Sequence, residues 1–340
     1  RPDRSRTVGA VPRRVDPLPS HQRLVRARLA LGARQREVEL VGAVGRLPDL
    51  RGVDPRSFRF VHTADLHLDS PLRSHALRDP ALRELIDCAS RQALARLVDL
   101  CIDESVDALL IAGDLFDGDR RSAKTAAALS LEMRRLRDAA VRVFIILGNH
   151  DAGSTSLSRA LQLPDNVHVF DGRGEPVAFE GHDVMLHGIS FNQRHVHGSL
   201  LDKYREPVSG CWNVGLMHTS LDGPSEHDPY APCSLASLRA HGFDYWALGH
   251  IHKRCVHHAH PAVVMPGIPQ GRHAREPGVG SVTLATLGAA PDLVALPVAE
   301  LAFDSADVAL GGADQAAMIA AFADAVPQGD GIHRLMRFDV

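Results

Sequence analysis

The 340-residue sequence lacks three features that would each point to a particular class of protein. No apolar run approaches the roughly 18 residues of a membrane-spanning helix, and no N-terminal stretch resembles the apolar core of a signal peptide. The five cysteines are scattered and never in CxxC spacing, which excludes a disulfide framework and a cysteine zinc site. We therefore expect a globular protein of the reducing cytoplasm, without a membrane partner.

Lysine is also scarce, because it occurs three times among 38 basic residues and the remainder are arginine. A GC-rich genome explains this bias more simply than selection for arginine forks that bind phosphate. Histidine, by contrast, is abundant at 20 residues, of which only His21 precedes residue 58. Because histidine is the commonest metal ligand and a proton carrier, this excess requires an explanation in chemistry.

The net charge of −3 hides an uneven distribution along the chain. Residues 1–57 hold 13 basic and 6 acidic residues, a net charge of +7, whereas the rest holds 25 and 35, a net charge of −10. The first segment has no strand-like run, so we expect a basic N-terminal extension that is disordered or foreign to the native protein. The alternative is a basic arm that touches DNA.

From residue 58 onward, strand-like apolar runs alternate with longer helical segments, which is typical of a layered α/β domain. Short antiparallel strands are expected between residues 167 and 191. The other predicted strands lie at 58–62, 107–112, 142–147, 214–217 and 245–248, and several β segments are expected from residue 255 to about 301. The predicted helices lie at 80–104, 123–139 and 234–241.

The same pattern predicts the limits of the domains. We expect one domain over residues 58–302 and a second, truncated one that begins within 303–340. The latter segment contains a predicted linker helix at 314–325 and an apparent strand at 334–340, where the sequence stops.

Polar residues follow five of the predicted strands. They are Asp65 and His67, Asp114 and Asp117, Asn149 with His150 and Asp151, His218, and His250 with His252. Ligands of layered α/β sheets gather at the carboxyl ends of strands, so these side chains are expected to converge. Oxygen and imidazole ligands without thiolates suit Mn²⁺, Fe²⁺ or Zn²⁺, and the share of oxygen favours manganese.

Seven of these residues are candidate metal ligands: Asp65, His67, Asp114, Asn149, His218, His250 and His252. They are too many for one tetrahedral ion, but they suit two divalent ions about 3.5–4 Å apart, the arrangement for in-line displacement at phosphorus. His150 is left over beside a ligand, where it can protonate the leaving oxygen, and Asp151 could orient its ring. Asp117 is interpreted as a carboxylate that caps its own loop.

The motifs D-x-H, GDxxD, GNHD, a single histidine and GHxH, in that order, resemble the calcineurin-like metallophosphoesterase superfamily over about residues 58–300. The strings HTADLHLDS from His62, GDLFD from Gly113 and PGIPQGR from Pro266 resemble the SbcD-type DNA repair exonucleases, in their YhaO-like branch. The resemblance implies a four-layer α-β-β-α sandwich with two mixed sheets. It also implies a C-terminal capping domain, of which residues 333–340 would be the first strand.

The resemblance assigns roles to single residues as well. One metal would be held by Asp65, His67 and His252, the other by Asn149, His218 and His250, with Asp114 bridging. His150 matches the histidine that assists the leaving group. Gln270 and Arg272, in the PGIPQGR string, become candidates for substrate binding, and the competing role is structural, in holding a glycine-rich turn. DNA, an SMC-like coiled-coil ATPase and a second copy of the chain are the implied partners.

These observations favour a metal-dependent phosphodiesterase that hydrolyses the DNA backbone, as the subunit of a repair exonuclease. One alternative is a phosphatase, or a small-molecule or cyclic-nucleotide phosphodiesterase, that uses the same ions. Another is a DNA-binding scaffold without activity. Outside the motifs, His195 and His197 lie with Arg194 in a predicted loop that could contact phosphate.

Overall fold

The computed structural model describes residues 57–70, 80–117, 122–152, 163–221, 230–288, 291–308, 315–327 and 331–339. Nearly all of the predicted N-terminal extension therefore lies outside the described residues. In chain order the elements are β1 (Arg59–Thr63), α1 (Pro80–Asp103), β2 (Ala108–Ala112), α2 (Ala123–Asp138), β3 (Arg142–Ile146), β4 (Val167–Val169), β5 (Val177–Phe179), β6 (Val184–Gly188), a 3-10 turn (Leu201–Lys203), β7 (Trp212–His218), α3 (Leu235–Ala240), β8 (Tyr245–Gly249), β9 (Cys255–Ala259), β10 (Ala262–Met265), β11 (Ser281–Thr286), β12 (Asp292–Pro297), β13 (Leu301–Asp307), α4 (Gln315–Asp324) and β14 (His333–Asp339).

Two mixed six-stranded sheets form the centre of the fold. The first has the order β12-β11-β1-β2-β3-β4, in which β1 to β4 are parallel, β11 is antiparallel to β1, and β12 is antiparallel to β11. The second has the order β5-β6-β7-β8-β10-β9, in which only β5 and β9, at the edges, are antiparallel to their neighbours. The central strands β2 and β8 are buried throughout, as expected for parallel strands that are covered on both faces.

Three hydrophobic clusters separate four layers. Between the sheets, Phe60, Leu110 and Phe144 of the first sheet share a cluster with Leu216 and Tyr245 of the second. Helices α1 and α2 cover the outer face of the first sheet, and α3 with the segment around the 3-10 turn covers the outer face of the second. The α-β-β-α sandwich expected from the sequence is confirmed.

The segment between residues 167 and 191 differs from the prediction. Strand β4 pairs parallel with β3 in the first sheet, and only β5 and β6 form an antiparallel pair. Strands of three residues have too few positions for their pattern to indicate direction, which is fixed instead by the neighbour with which they pair.

The C-terminal part contains β13 and β14, which pair in parallel, with α4 between them in the chain. Helix α4 and strand β14 agree with the predicted helix and strand to within one residue. Leu301 and Phe303 of β13 pack with Ile86 and Ala89 of α1. The predicted domain boundary at residue 302 therefore falls inside a strand, and the domain limits themselves stay a prediction.

Within the described residues, no helix combines the length and the apolar composition required to cross a membrane. All five cysteines are free thiols.

Candidate metal centre

The predicted strand-end residues converge at one edge of the two sheets. Strands β1, β2 and β3 are parallel in the first sheet, and β7 and β8 in the second, so their carboxyl ends meet. Across the sheets, His218 Nδ1 donates to the Ala112 carbonyl at 2.9 Å. The side chains at these strand ends are those of Asp65, His67, Asp114, Asn149 and His218, which are buried, and of His250 and His252, which are half-buried.

Backbone hydrogen bonds hold the loops that carry these residues. The Asp65 amide donates to the Gly113 carbonyl at 2.9 Å and the His67 amide to the Asp114 carbonyl at 3.0 Å. Asp65, His67, Asp114 and His250 have φ values of 54°, 41°, 52° and 102°. A residue other than glycine adopts such a positive φ at a cost of about 1–3 kcal/mol, so the surrounding structure must hold it there. Residues in this conformation cluster at functional sites.

Two glycines of the motifs allow the ligand side chains to approach one another. Gly113 has a φ of 95°, and a Cβ at this position would overlap the His218 ring. A Cβ at Gly148 would overlap the Asp114 carboxylate. Any larger residue would displace a candidate ligand, which explains why glycine precedes Asp114 and Asn149 in the sequence.

The Asp114 carboxylate lies between two groups of imidazoles. Its Oδ2 is 3.4 Å from His218 Nε2 and 3.8 Å from His67 Nε2. Its Oδ1 accepts a hydrogen bond from the His150 amide at 2.9 Å. His218 Nε2 also lies 3.0 Å from Asn149 Oδ1. Asp114 thus lies between the two groups of candidate ligands.

The other half of the centre contains His67, His252 and Asp65. The Nε2 atoms of His67 and His252 are 3.2 Å apart, and Asp65 Oδ1 lies 3.9 Å from His252 Nε2. Asp65 Oδ2 accepts from the His250 amide at 3.0 Å, whereas Oδ1 is buried without a hydrogen-bond partner. Glu276 Oε1 lies 2.6 Å from His252 Nδ1. Because this carboxylate accepts a hydrogen bond from Nδ1–H of His252, the lone pair on Nε2 remains available on the side of Asp65 and His67.

These donors fit divalent metal ions. A buried carboxylate oxygen without a partner, such as Asp65 Oδ1, is costly unless a cation or a donor meets it. Among the described residues, the candidate ligand atoms lie within 4.8 Å of one another in three groups of three residues. These groups are Asp65 with His67 and His252, Asp65 with Asp114 and His218, and His67 with Asp114 and His150. His250 is in none of the three groups, although its ring centroid lies 5.2 Å from that of His218.

Burial and charge act in opposite directions on the pKa values of this centre. Burial lowers the pKa of His218, but Asp114 and Asp65 outweigh it and the pKa rises to about 9. Burial raises the pKa of Asp114, yet His218 and His67 bring it far below its usual range. Burial raises the pKa of Asp65 and lowers that of His67. The imidazoles and carboxylates of this centre thus stabilise one another's charged forms against the effect of burial at His218 and Asp114.

His150 lies at the open edge of the centre, where 40% of its side chain is exposed. Its Nδ1 is 3.0 Å from Asp117 Oδ1, and Ser70 Oγ donates to Asp117 Oδ2 at 3.1 Å. The hydrogen bond with Asp117 raises the pKa of His150. Asp117 was expected to cap its own loop rather than to bind metal. It is in none of the ligand groups formed by the described residues, but its carboxylate contacts Ser70 and the ring of His150 rather than its own loop.

Asp151, which was expected to orient that ring, is buried and accepts hydrogen bonds from the backbone instead. Its oxygens receive the amides of Leu115 and Phe116 at 3.0 Å each and that of Gly148 at 3.1 Å. Burial raises its pKa to about 6. The predicted contact with His150 is wrong, because three backbone donors engage this carboxylate and tie the loop after β2 to the loop after β3.

Gln270 is 2% exposed, and both ends of its amide are engaged. Its Nε2 donates to the Gly271 and Leu301 carbonyls at 2.9 and 2.7 Å. Its Oε1 accepts from the Glu300 and Leu301 amides at 2.9 and 3.2 Å. The structural role that competed with substrate binding therefore describes Gln270, which fixes the turn before β13.

Arg272 lies beside the centre, where its Nη2 is 2.9 Å from Glu276 Oε1 and 3.2 Å from His252 Nδ1. Burial raises the pKa of Glu276, but His252 and Arg272 outweigh it and lower that pKa strongly. The contacts that Glu276 makes with His252 and Asp117 with His150 were not predicted from the sequence. Asp117 was already indicated as the second carboxylate of GDxxD, and Glu276 could have been noted as an acidic residue soon after PGIPQGR.

Comparison with known proteins agrees with this geometry. A family profile described as calcineurin-like phosphoesterase matches residues 58–254. YhaO, an uncharacterized metallophosphoesterase of Bacillus subtilis, is 38% identical over 226 residues, which cover 64% of this chain and 55% of that protein. The DNA double-strand break repair protein Mre11 of Methanopyrus kandleri is 27% identical over 211 residues, 57% of this chain and 44% of that protein. One of the subunits of the nuclease SbcCD of Rhodobacter capsulatus is 35% identical over 111 residues, 32% of this chain and 24% of that protein.

The sandwich of two mixed sheets and the cluster of oxygen and imidazole donors are those of the metallophosphoesterase class of proteins. The chain belongs to the calcineurin-like phosphoesterase family, whose members use divalent metals. It spans about half the length of the curated relatives YhaO and Mre11 that it matches.

Proposed function

We propose that this protein is a phosphodiesterase that hydrolyses the DNA backbone, as an SbcD-type subunit of a repair exonuclease. The observation that carries the proposal is the convergence of strand-end donors around Asp114, with His150 at the open edge. The choice of DNA as substrate is supported by the names of two relatives, a DNA double-strand break repair protein and a nuclease subunit.

The proposed cofactors are two divalent ions, and manganese is favoured because oxygen donors are numerous. When bound, such ions activate the attacking water and neutralise charge on the phosphate oxygens. The residues proposed to hold one ion are Asp65, His67 and His252, those for the other are Asn149, His218 and His250, and Asp114 is shared.

His150 is proposed to protonate the leaving ribose oxygen. Its Nδ1 is held by Asp117 at 3.0 Å, so Nε2 is the ring atom that can donate a proton. The exposed part of its ring is accessible to a phosphodiester, while its amide is fixed to Asp114. Asp117 and Ser70 are proposed as positioning residues, because Asp117 holds the ring of His150 and Ser70 in turn holds Asp117.

The partners are proposed on the same basis. Besides DNA, we propose an SMC-like coiled-coil ATPase and a second copy of this chain as the assembly in which the reaction occurs, with the cytoplasm as its compartment. The free state of all five thiols agrees with a reducing compartment.

The test is hydrolysis of end-labelled DNA by the full chain in the presence of Mn²⁺. We expect release of nucleotides, and we expect EDTA to abolish it. The variant His150→Ala should lose about 10²–10⁴-fold in turnover, because a positioned proton donor contributes that much. It should retain its bound metal in elemental analysis, since the seven proposed ligands are intact.

The matched control is His333→Ala, which removes a histidine from β14 and should hydrolyse DNA like the parent. Hydrolysis of phosphomonoesters or cyclic nucleotides without hydrolysis of DNA would replace the proposal with the phosphatase or small-molecule alternative. A protein that binds DNA but no metal would be a scaffold.

A further inference from the structure

A row of rings connects the metal centre to the surface of the second sheet. The His250 ring lies next to His218, and the Tyr230 ring follows with its centroid 5.2 Å from that of His250. His195 comes next at 5.8 Å from Tyr230, and His197 at 6.3 Å from His195. Burial decreases along the row, from fully buried His218 through half-buried His250 and Tyr230 to exposed His195 and His197.

The outer three rings are nearly parallel. The planes of Tyr230 and His195 differ by 22°, and those of His195 and His197 by 11°. With centroids 5.8 and 6.3 Å apart and two of the rings exposed, they form a row of aromatic groups at the surface. We refer to Tyr230, His195 and His197 as the aromatic shelf.

The backbone fixes the position of the shelf. Val196, between the two histidines, packs on the buried cluster that includes Leu200, and its carbonyl accepts from the Ala231 amide at 2.7 Å. Tyr230 is held in turn, because its amide donates to Ser220 Oγ at 2.9 Å. Since Val196 is directed inward, its two neighbours remain on the exposed side.

Neither metal binding nor packing in the hydrophobic core accounts for the two histidines of the shelf. None of the ligand groups formed by the described residues includes His195 or His197. Both rings are exposed, so they contribute little to the core. Exposed parallel rings beside a phosphodiesterase centre are, however, the chemistry that proteins use to hold unpaired nucleobases, because every base has a face that stacks on an aromatic ring.

We propose that the aromatic shelf binds an unpaired nucleobase of the DNA whose backbone lies in the metal centre. The inference rests on the proposed function and specifies its substrate as DNA with at least one unpaired base near the scissile phosphate. Stacking does not depend on base identity, so the shelf should favour single-stranded or frayed ends without a strong sequence preference.

The experiment compares two oligonucleotides in single-stranded form, an ordinary one and one whose terminal residues are abasic, both hydrolysed by the full chain with Mn²⁺. The parent should hydrolyse the ordinary strand about 10-fold faster than the abasic one, in line with the loss from removal of one aromatic stack. The double variant His195→Ala, His197→Ala should lose this preference and hydrolyse the abasic strand like the parent.

A second variant, His195→Phe with His197→Phe, keeps aromatic faces without imidazole nitrogens and should retain the preference for the ordinary strand. Anisotropy of a labelled ordinary strand in EDTA should show weaker binding by the alanine variant alone. His333→Ala is the matched control and should behave like the parent.

The outcomes separate this inference from the proposed function. A parent that hydrolyses neither strand, but does hydrolyse simple phosphoesters, overturns the proposed function and the shelf with it. A parent that hydrolyses both strands equally overturns the shelf alone. An alanine variant that loses activity equally on both strands overturns it as well, because the histidines would then act on phosphate or on folding rather than on a base.

Discussion

Two pairs of buried histidines in this protein have opposite environments. His62 lies within β1 and His187 within β6, both with no exposed surface. His62 contacts the Tyr245 hydroxyl and the Leu248 carbonyl at 3.0 Å each, and His187 contacts Asn213 Oδ1 at 3.1 Å. Burial lowers their pKa values to about 3 and about 4, so both are neutral components of the core.

His67 and His218 are just as buried but lie at strand ends. Each lies near the Asp114 carboxylate, but burial and Arg272 lower the pKa of His67, whereas the pKa of His218 rises to about 9 in spite of its burial. Burial alone therefore favours a neutral histidine, and at His218 the nearby carboxylates Asp114 and Asp65 outweigh it. Carboxylates buried at the junction of parallel strands create a demand for positive charge that a metal ion or a proton can meet.

Replacement of one histidine from each pair by alanine tests this comparison, and it should give the largest change in activity of the variants described below. His218→Ala should reduce Mn²⁺-dependent hydrolysis of bis(p-nitrophenyl) phosphate by more than about 100-fold, since even partners of metal ligands cost 10–100-fold. Elemental analysis should show fewer bound ions. His187→Ala should lower the melting temperature yet keep both the metal and the activity. Equal metal loss in the two variants would contradict the distinction.

The same comparison can be made for a carboxylate that holds a candidate metal ligand in place, as Glu276 does through its contact with His252. Glu276→Gln should weaken Mn²⁺ binding by about 10–100-fold, because the amide no longer fixes the His252 tautomer as a carboxylate does. Isothermal titration with Mn²⁺ measures this directly. Glu132→Gln is the matched control, since Glu132 is similarly buried and also paired with an arginine, Arg135, but lies on α2. Unchanged affinity in Glu276→Gln would remove its positioning role.

The two carboxylates near His150 should also separate into a functional and a structural one. Asp117→Asn should lower turnover by about 10-fold with an unchanged melting temperature, because the amide can still accept from Ser70 Oγ but holds the ring of His150 less well than a carboxylate. Asp151→Asn should lower the free energy of unfolding by about 1–3 kcal/mol, because an amide cannot accept all three backbone hydrogen bonds. Kinetics and urea denaturation of the same two variants distinguish the effects. The reverse pattern would restore the role first predicted for Asp151.

The sequence was sufficient to locate the strand-end residues, because parallel strands bring their carboxyl ends together whatever the details of packing. The choice between Asp117 and Asp151 was not predictable. Asp151 is next to His150 in the chain, but the turn after β3 directs its carboxylate to the loop after β2. Adjacency in sequence indicated contact only where the backbone path allowed it.

Long-range partners were harder to predict for the same reason. Glu276 is 24 residues from His252, and the hairpin of β9 and β10 lies between them, so no local spacing predicts their contact. The direction of β4 and the extent of β13 depend likewise on pairing with distant strands. The sequence pattern therefore predicted which polar residues follow each strand. The residues that hold those side chains in place, such as Glu276, could be identified only in the folded structure.

The smallest predicted effect concerns acid stability. The folded pKa of His187, about 4, lies below the ordinary value of 6.5, so the unfolded chain binds protons first as the pH falls. The free energy of unfolding should therefore be unaffected by His187 above about pH 7 and should decrease between about pH 6.5 and 4. For His187 alone the loss from pH 7.5 to 5 is about 1–2 kcal/mol, since one pKa unit corresponds to about 1.4 kcal/mol. Urea denaturation in EDTA at these two pH values should show a smaller decrease for His187→Gln than for the parent. An equal decrease would mean that this histidine is protonated in the folded core, and the contrast with the strand-end histidines would then fail.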